Sequence, residues 1–257
     1  AHAGVGKRYV RAHELVGPDP VNAVHGFDAR AQPPESLQVE VHGPRADTVS
    51  AQVHGYIHAA EVSVIPTAID LRRYRLKTAV PGPQFIVGWI GHSANHPYLN
   101  RIRQSLYRLH QLLPGFQLRI VSDKDYSLAG VPVNCRRWSE STEIDDLLSF
   151  DAGIMPLDDT PWAQGKCGLK LLQYMATGLP AVASKVGANI DIVTTGHDGL
   201  LCTTPDEWVT ALYRLGVDPG RRAQMGREAR LKVERDFSLT TAADKLFRLL
   251  RQLIQTK

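Results

Sequence analysis

The sequence has few cysteines, no long apolar run and only a small excess of one charge. Cys135, Cys167 and Cys202 form no CxxC pair, which argues against a disulfide framework or a structural zinc site and favours a reducing cytoplasmic compartment. No stretch of about 18 apolar residues is present, so we expect no membrane span. The net charge of +4 is too small for a nucleic-acid-binding domain and fits anionic small molecules or an acidic membrane surface.

Several well-defined site motifs are also missing. The chain has no GxGxxG, GxxxxGK[ST], HExxH or GxSxG pattern. His92 and His96 lie four residues apart in a polar loop, which favours backbone contact with a ligand over metal binding. Asp123-Lys124-Asp125 matches the DxD pattern that chelates a metal on a nucleotide sugar, but so short a match arises often by chance and suits a solvated turn. We therefore predict no metal site.

The chain divides into two unequal parts that differ in composition and in hydrophobic periodicity. Residues 1–60 contain six of the ten histidines, one lysine and several prolines, and they show no sustained helical periodicity. From about residue 61, apolar strands alternate with amphipathic helices. The run 85–91 (FIVGWIG) is typical of a strand that is buried on both faces of a parallel sheet.

This alternation continues to the end of the chain. Further strands are predicted at 117–121, 131–133, 152–156, 181–184 and 199–202, and helices at 99–113, 141–148, 169–177, 205–216, 219–235 and 239–254. The pattern predicts an α/β fold with a Rossmann-like, doubly wound parallel sheet. Such sheets bind ligands at the carboxyl ends of their strands.

The segment 162–170 (WAQGKCGLK) is the most informative candidate site. Lys166 and Lys170 stand four residues apart, beside Gly165 and Gly168, where a helix is predicted to begin. Free N–H groups and the helix dipole favour an anion there, and two lysines on one helix face add to the attraction. The alternative is a solvated lysine stripe. However, each lysine in a first turn opposes the dipole by about a few tenths of a kcal/mol, so we favour a diphosphate site.

Longer stretches of the sequence resemble one known family. Residues 150–162 (FDAGIMPLDDTPW), 165–176 (GKCGLKLLQYMA) and 178–189 (GLPAVASKVGAN) are similar to group-1 (family 4) glycosyltransferases. Residues 64–70 (VIPTAID) resemble the segment that links the two domains of that family. Residues 88–93 (GWIGHS) resemble the first strand and loop of its donor-binding domain. The resemblance covers roughly residues 62–257.

The resemblance implies a B-type glycosyltransferase fold, in which two Rossmann-like domains face a cleft. The C-terminal domain binds a nucleotide-diphosphate sugar and the N-terminal domain binds the acceptor. Transfer proceeds with retention of the anomeric configuration, without a bound metal or a cofactor. It implies a hexosyltransferase that acts on a glycan or lipid-linked acceptor. The implied contacts with the donor diphosphate and sugar are Gly91, His92, Ser93, Lys166, Gly168 and Lys170.

The nucleoside end of the donor is expected at Gln173, Arg137 and Trp138. Many family members have two glutamates eight positions apart, the second of which holds the ribose hydroxyls, and here these positions carry Gly165 and Gln173. Gln173 retains hydrogen-bonding capacity toward a ribose. For Trp138 the alternative of a buried core anchor stays open. No catalytic residue is identified.

The family's N-terminal domain is usually much longer than the segment that precedes the donor domain here. We therefore interpret residues 1–60 as a truncated or out-of-frame remnant, 61–84 as the interdomain connection, 85–236 as the donor-binding domain and 237–257 as a C-terminal helix. The alternative function is a non-catalytic or degenerate nucleotide-sugar-binding module. A hydrolase or epimerase on the same fold needs a carboxylate pair at the sugar, and Gly165 counts against it.

A peripheral contact with the inner membrane surface is a further hypothesis, since the last helices are rich in basic residues. A solvated face is the alternative explanation. The basic residues concerned are Arg221, Arg222, Arg227, Arg230, Lys232, Arg235, Arg248 and Arg251.

Overall fold

The computed structural model describes residues 40–41, 63–78 and 82–255. Apart from 40–41, the segment interpreted as a remnant lies outside the described residues. A two-residue strand β1 (Glu40–Val41) pairs in parallel with β2 (Ser63–Val64). The chain then follows a short 3-10 turn at Leu71–Arg73 before it enters the main sheet.

The main sheet has six parallel strands in the order β5-β4-β3-β6-β7-β8. Its strands are β3 (Phe85–Ile90), β4 (Phe116–Ser122), β5 (Val133–Arg137), β6 (Ala152–Met155), β7 (Ala181–Ser184) and β8 (Gly199–Cys202). Numbered within the sheet, this is the 3-2-1-4-5-6 order of the Rossmann fold. The predicted doubly wound α/β architecture is confirmed.

The helices are α1 (His96–Arg101), α2 (Arg103–Leu112), α3 (Glu143–Leu148), α4 (Pro161–Gln164), α5 (Leu169–Ala176), α6 (Ala188–Ile192), α7 (Pro205–Val217), α8 (Pro219–Asp236) and α9 (Leu239–Gln255). The short helices α4 and α6 were not predicted, whereas the others correspond to the predicted helices with small shifts at their ends. The helix predicted at 99–113 is two segments, because the backbone at Ile102 leaves helical geometry. As predicted, Ser238 caps the last helix: its Oγ accepts from the backbone N–H of Thr241 at 3.1 Å.

The edge strand differs from its prediction at 131–133. It runs from Val133 to Arg137, where Val133 pairs with Leu118 and Arg137 with Ser122. An edge strand has one side in solvent and therefore contains polar residues. These residues interrupt the apolar run by which a strand is predicted from the sequence. Pro132 precedes the ladder because it has no N–H to donate to it.

Helices cover both faces of the sheet, each over its own apolar core. On one face α1, α2 and α7 pack on the sheet, and the buried side chains include Val87, Trp89, Leu99, Leu106, Leu109, Trp208 and Leu212. On the other face α3, α5, α6 and α8 pack on the sheet, and the buried side chains include Ile90, Leu147, Phe150, Leu171, Tyr174, Ile192 and Val233. Burial on both faces explains why the central strand reads as one continuous apolar run.

Two paired glycines let aromatic rings approach the centre of the sheet. Gly88 of β3 lies opposite Gly153 of β6. A Cβ at Gly88 would fall 2.0 Å from the Phe150 ring, and one at Gly153 would fall 2.2 Å from the Tyr174 ring. The two rings contact each other edge to face, with their centroids 6.4 Å apart. Side chains larger than hydrogen are thus excluded at both positions.

The Tyr174 hydroxyl fixes α5 to the sheet where the winding direction reverses. It accepts from the N–H of Ile90 at the end of β3, at 3.2 Å, and donates to the carbonyl of Ile154 in β6, also at 3.2 Å. Sheets of this type bind ligands beyond the carboxyl ends of their strands at the point where the strand order reverses, which here lies between β3 and β6. The two hydrogen bonds of Tyr174 thus fix α5 to both strands at this point.

Within the described residues, no helix is long and apolar enough to cross a membrane. Some basic residues behind the hypothesis of a membrane surface contact the protein itself. Arg222 donates to the carbonyl of Leu215, Arg230 donates to two backbone carbonyls, and Lys232 lies 3.3 Å from the Asp198 carboxylate. These three side chains of α8 have structural roles and do not add to a basic outer surface.

Candidate functional site

Gly168 sets the point at which α5 begins. Its φ of 72° is left-handed, and a Cβ there would lie 2.3 Å from Cδ1 of Ile192. Both facts require glycine. The helix therefore starts at Leu169, so Lys170 lies in its first turn while Lys166 precedes it. The expectation that both lysines share a helix face is wrong on this point, although the two remain close in space.

Lys170 is a half-buried cation against the loop that follows β3. A Cβ at Gly91 would come within 2.6 Å of the lysine Cε, and the Nζ lies 5.5 Å from the centre of the Trp89 ring. Burial, reinforced by the neighbouring charge of Lys166, lowers the pKa of Lys170 to about 8. Burial disfavours the charged form of the lysine, and a bound anion would stabilise that charged form.

Lys166 approaches the same loop from the other side. Its Nζ lies 3.2 Å from Oδ1 of Asn95, and the rings of Tyr98 and Trp162 lie 5.3 and 5.8 Å from it. Burial lowers the pKa of Lys166 as well. In the part of the chain that the structure describes, neither Lys166 nor Lys170 forms an ion pair with a carboxylate.

Asp123 holds the loop after β3 in place. Its carboxylate accepts from the N–H of Ser93 at 2.6 Å and from the Ser93 hydroxyl at 2.8 Å. These hydrogen bonds, that of the backbone N–H first, hold the pKa of Asp123 far below its usual range. His92 caps the same turn, since its Nδ1 accepts from the N–H of Ala94. The structure thus brings the loop that contains Gly91, His92 and Ser93 to the two lysines, with Gly91 beside Lys170 and Asn95 beside Lys166.

Neither weak metal motif forms a cluster of ligands. The Asp123 carboxylate is occupied by Ser93, and Asp125 is exposed. His96 turns away from His92: its ring contacts the Trp89 indole, and its Nε2 lies 3.1 Å from the hydroxyl of Ser122. Over residues 40–41, 63–78 and 82–255, no group of three histidine, cysteine or acidic residues is arranged to hold a metal ion.

Gln173, which is predicted to contact the nucleoside, lies about one helical turn from Lys170 on α5. Gln173 follows Lys170 by three residues, a rise of about 4.5 Å along one side of α5. Gln173 is buried, and its amide nitrogen donates to Oε1 of Glu143 at 3.1 Å and to the hydroxyl of Tyr74 at 3.4 Å. Trp138 is 49% exposed, so the alternative of a core anchor is wrong. Its indole N–H donates to Oε2 of Glu143 at 2.9 Å.

Glu143 contacts both Gln173 and Trp138, although no motif of the sequence indicates a role for it. It is the first residue of α3 and reads there as an ordinary acidic residue of a first turn. Only the fold brings it between Trp138 and Gln173, which are 35 positions apart in the chain. Arg137, the third predicted residue, is exposed, and its side chain forms no hydrogen bond or ion pair with the described residues.

Gly165, at the other glutamate position of the family, is exposed and lies in open surroundings. The nearest atom to a Cβ there would be the Trp162 carbonyl oxygen, at 3.6 Å. Its backbone is right-handed helical, which any residue adopts. Packing therefore does not impose the lack of a carboxylate at this position.

The chain is similar to known glycosyltransferases in sequence and in fold. The family model described as glycosyl transferases group 1 matches residues 85–218, slightly more than half of the chain. The glycogen synthase of Mycobacterium tuberculosis is 25% identical over 199 residues, which are 72% of this chain and 47% of that protein. The chain thus spans about half the length of this curated relative.

Two solved structures share the fold. Anabaena HepE in complex with UDP and glucose superposes with a TM-score of 0.66 at 17% identity, over 84% of this chain and 63% of that one. The C-terminal domain of the group-1 glycosyl transferase LpcC from Francisella tularensis superposes with a TM-score of 0.55 at 15% identity. That match covers 66% of this chain and 99% of the domain. With its Rossmann-like sheet and its match to the family model, the chain belongs to the group-1 glycosyltransferases and contains their C-terminal domain.

Proposed function

We propose that this chain binds a nucleotide-diphosphate sugar and transfers the sugar to a glycan or lipid-linked acceptor, with retention of the anomeric configuration. One observation carries the proposal: Lys166 and Lys170 converge on the loop after β3, at the reversal point of the sheet, without a carboxylate partner among the described residues. A diphosphate supplies the missing negative charge. The HepE structure, which holds UDP and glucose on the same fold, supports the class of ligand.

The site is arranged for a diphosphate as leaving group. In the transfer, the bond between the anomeric carbon and the phosphate oxygen breaks, and the acceptor oxygen bonds to that carbon. The acceptor proton passes to the departing diphosphate. The two lysines stabilise the charge that develops on the phosphate oxygens, and the loop of Gly91, His92 and Ser93 borders the same space. Catalysis then rests on charge stabilisation and positioning, without a metal or cofactor.

Gly168 allows the start of α5 to approach the phosphates closely, and the side of α5 near Gln173 takes the nucleoside. Arg137 and Trp138 at the end of β5 border the base. No residue is assigned as a catalytic base, because position 165 carries no carboxylate. That same absence favours a second candidate, a module that binds the nucleotide sugar but transfers it poorly.

A thermal-shift titration with UDP, GDP, ADP and TDP, with and without EDTA, tests the donor site. A ligand that binds only the folded state raises the free energy of unfolding by about 2.7 kcal/mol when its concentration is a hundred times its Kd. We expect one diphosphate to raise the Tm, independently of EDTA, and the shift to vanish in Lys166→Ala/Lys170→Ala. Lys245→Ala, which removes an exposed lysine of α9, is the matched control and should keep the shift.

Transfer is then measured with the radiolabelled nucleotide sugar of the base that binds, offered with glycan and lipid-linked acceptors. Labelled product supports the transferase, whereas binding without transfer favours the second candidate. A sample that is folded but shows no shift with any diphosphate refutes both. A shift that requires a divalent metal refutes the metal-independent site.

A further inference from the structure

The carboxylate of Glu143 lies between the two side chains assigned to the nucleoside end of the site. Its Oε1 accepts from the Gln173 amide at 3.1 Å, and its Oε2 accepts from the Trp138 indole at 2.9 Å. Both oxygens are therefore held in fixed positions, although the side chain is only half-buried.

The carboxylate still has room to accept further hydrogen bonds. An ionised carboxylate offers about four lone-pair positions. The Gln173 amide and the Trp138 indole occupy two of them, and the Tyr74 hydroxyl also interacts with the carboxylate, which leaves capacity for a further donor. Gln173, in contrast, directs its amide nitrogen to Glu143 and to the Tyr74 hydroxyl, so its donors are engaged inside the protein. A pair of sugar hydroxyls donates more strongly to the charged carboxylate than to a neutral amide oxygen.

The position of Glu143 matches the order of groups in a nucleotide. Lys170 lies at the start of α5, and Gln173, which contacts Glu143, lies one turn further along the same helix. Trp138, on the other side of Glu143, exposes its ring at the carboxyl end of β5. A diphosphate at the lysines thus places a ribose next to the carboxylate and a base next to the indole.

We propose that Glu143 is the residue that binds the ribose hydroxyls, and that Gln173 is a positioning residue that orients the Glu143 carboxylate. This inference rests on the proposed function, since it assumes a nucleotide at the site. It revises the expectation for Gln173, whose contact with the ribose becomes indirect. In a purely structural role, Glu143 would only hold Trp138 in place and would not distinguish one sugar from another.

Isothermal titration with ribonucleotides and their deoxy counterparts tests the inference. The probes are UDP, GDP and ADP, each compared with its 2′-deoxy and 3′-deoxy form. We expect the wild type to bind the ribonucleoside diphosphate at least about tenfold more tightly than the deoxy forms. Glu143→Gln keeps the size of the side chain but removes the charge, and it should make the ribo and deoxy affinities nearly equal. Glu140→Gln, an exposed neighbour, should leave the ratio unchanged.

An exchange of the two residues provides a rescue. In Glu143→Gln/Gln173→Glu the introduced amide donates to the introduced carboxylate, so the hydrogen bond is kept in the reverse direction and a negative charge returns beside the ribose. We expect this double variant to regain most of the preference for ribose. If Glu143 had only a structural role, no such rescue is expected. The substitutions would then change the Tm but not the ratio of the affinities for the ribonucleotide and its deoxy forms.

The outcomes separate the two proposals. If the wild type binds a ribonucleotide and its deoxy forms equally, or if a folded Glu143→Gln keeps the wild-type ratio, the role of Glu143 is overturned while the donor site stands. The wild-type ratio needs no variant, so the test does not depend on the stability of Glu143→Gln. If the wild type binds none of the diphosphates, the proposed function fails and the inference fails with it.

Discussion

Replacing Lys170 by methionine is expected to stabilise the free protein while it abolishes nucleotide binding. The pKa of this lysine is lowered from 10.5 to about 8, mainly by burial. One pKa unit corresponds to about 1.4 kcal/mol, so the charge costs the folded state about 3 kcal/mol at neutral pH. Contact of the ammonium with the Trp89 ring and with solvent offsets about 1–2 kcal/mol of this cost.

We therefore expect Lys170→Met to raise the free energy of unfolding by about 1–2 kcal/mol at pH 7, or the Tm by roughly 3–6 °C. The sign of the pH dependence follows from linkage. Below about pH 8 Lys170 is protonated in both the folded and the unfolded wild type, so the full cost of the buried charge is present. Between about 8 and 10.5 the folded state has lost the proton while the unfolded state keeps it, so the wild type gains stability and the difference shrinks.

Urea unfolding of both proteins at pH 7 and pH 10 measures the difference directly. Lys245→Met, on the exposed side of α9, is the control for a general effect of removing a lysine and should change the stability by less than about 0.5 kcal/mol. A variant that is less stable than the wild type at pH 7, or a difference that is equal at both pH values, would contradict the reasoning.

The affinity for the diphosphate should be constant between about pH 7 and about pH 8, where the terminal phosphate is fully ionised, and should fall above about pH 8 as Lys170 loses its proton. Lys170→Arg should bind without this decline, as titration calorimetry at several pH values would show. Asp123→Asn should release the loop of Ser93, seen as faster hydrogen exchange of its amide and weaker diphosphate binding, while the exposed Asp125→Asn should change neither. Gly168→Ala should destabilise the protein by about 2 kcal/mol or more in urea unfolding, because a left-handed φ and a contact with Ile192 both oppose a Cβ, whereas Gly165→Ala should cost less than about 0.5 kcal/mol; equal costs would contradict the geometry.

Elements buried on both sides could be predicted from the sequence. The strand Phe85–Ile90 is a continuous apolar run, and the helix Leu169–Ala176 has apolar residues at helical spacing. Both patterns arise because most side chains of these two elements are buried. The strand Val133–Arg137 could not be placed correctly, because its outer side faces solvent. The break at Ile102 was also missed, since the apolar spacing continues through it.

The site shows the same division. The two lysines could be proposed from their spacing beside two glycines, and the loop after β3 and Gln173 from the resemblance to the family, since both depend on short contiguous stretches of sequence. The exclusion of Lys166 from the helix could not be predicted, because it follows from the left-handed backbone of Gly168, which packs against Ile192 of α6. Glu143 could not be found either: Trp138 is close to it in the chain, but Gln173 lies 30 positions away and meets Glu143 only when α3 and α5 pack on the same face of the sheet.

The central claim is that Lys166 and Lys170 recognise a diphosphate. The most direct test is to compare, by titration calorimetry, the Kd of UDP with that of UMP in the wild type and in Lys166→Ala/Lys170→Ala, and to repeat the comparison with the base that binds best in the thermal-shift panel. The account predicts that the wild type prefers the diphosphate by more than about tenfold, since charge-assisted contacts are worth about 1.5–3 kcal/mol. It also predicts that the double variant loses this preference while it retains most of its affinity for the monophosphate. Equal affinity of the wild type for the two nucleotides, or a preference that survives in the double variant, would contradict it.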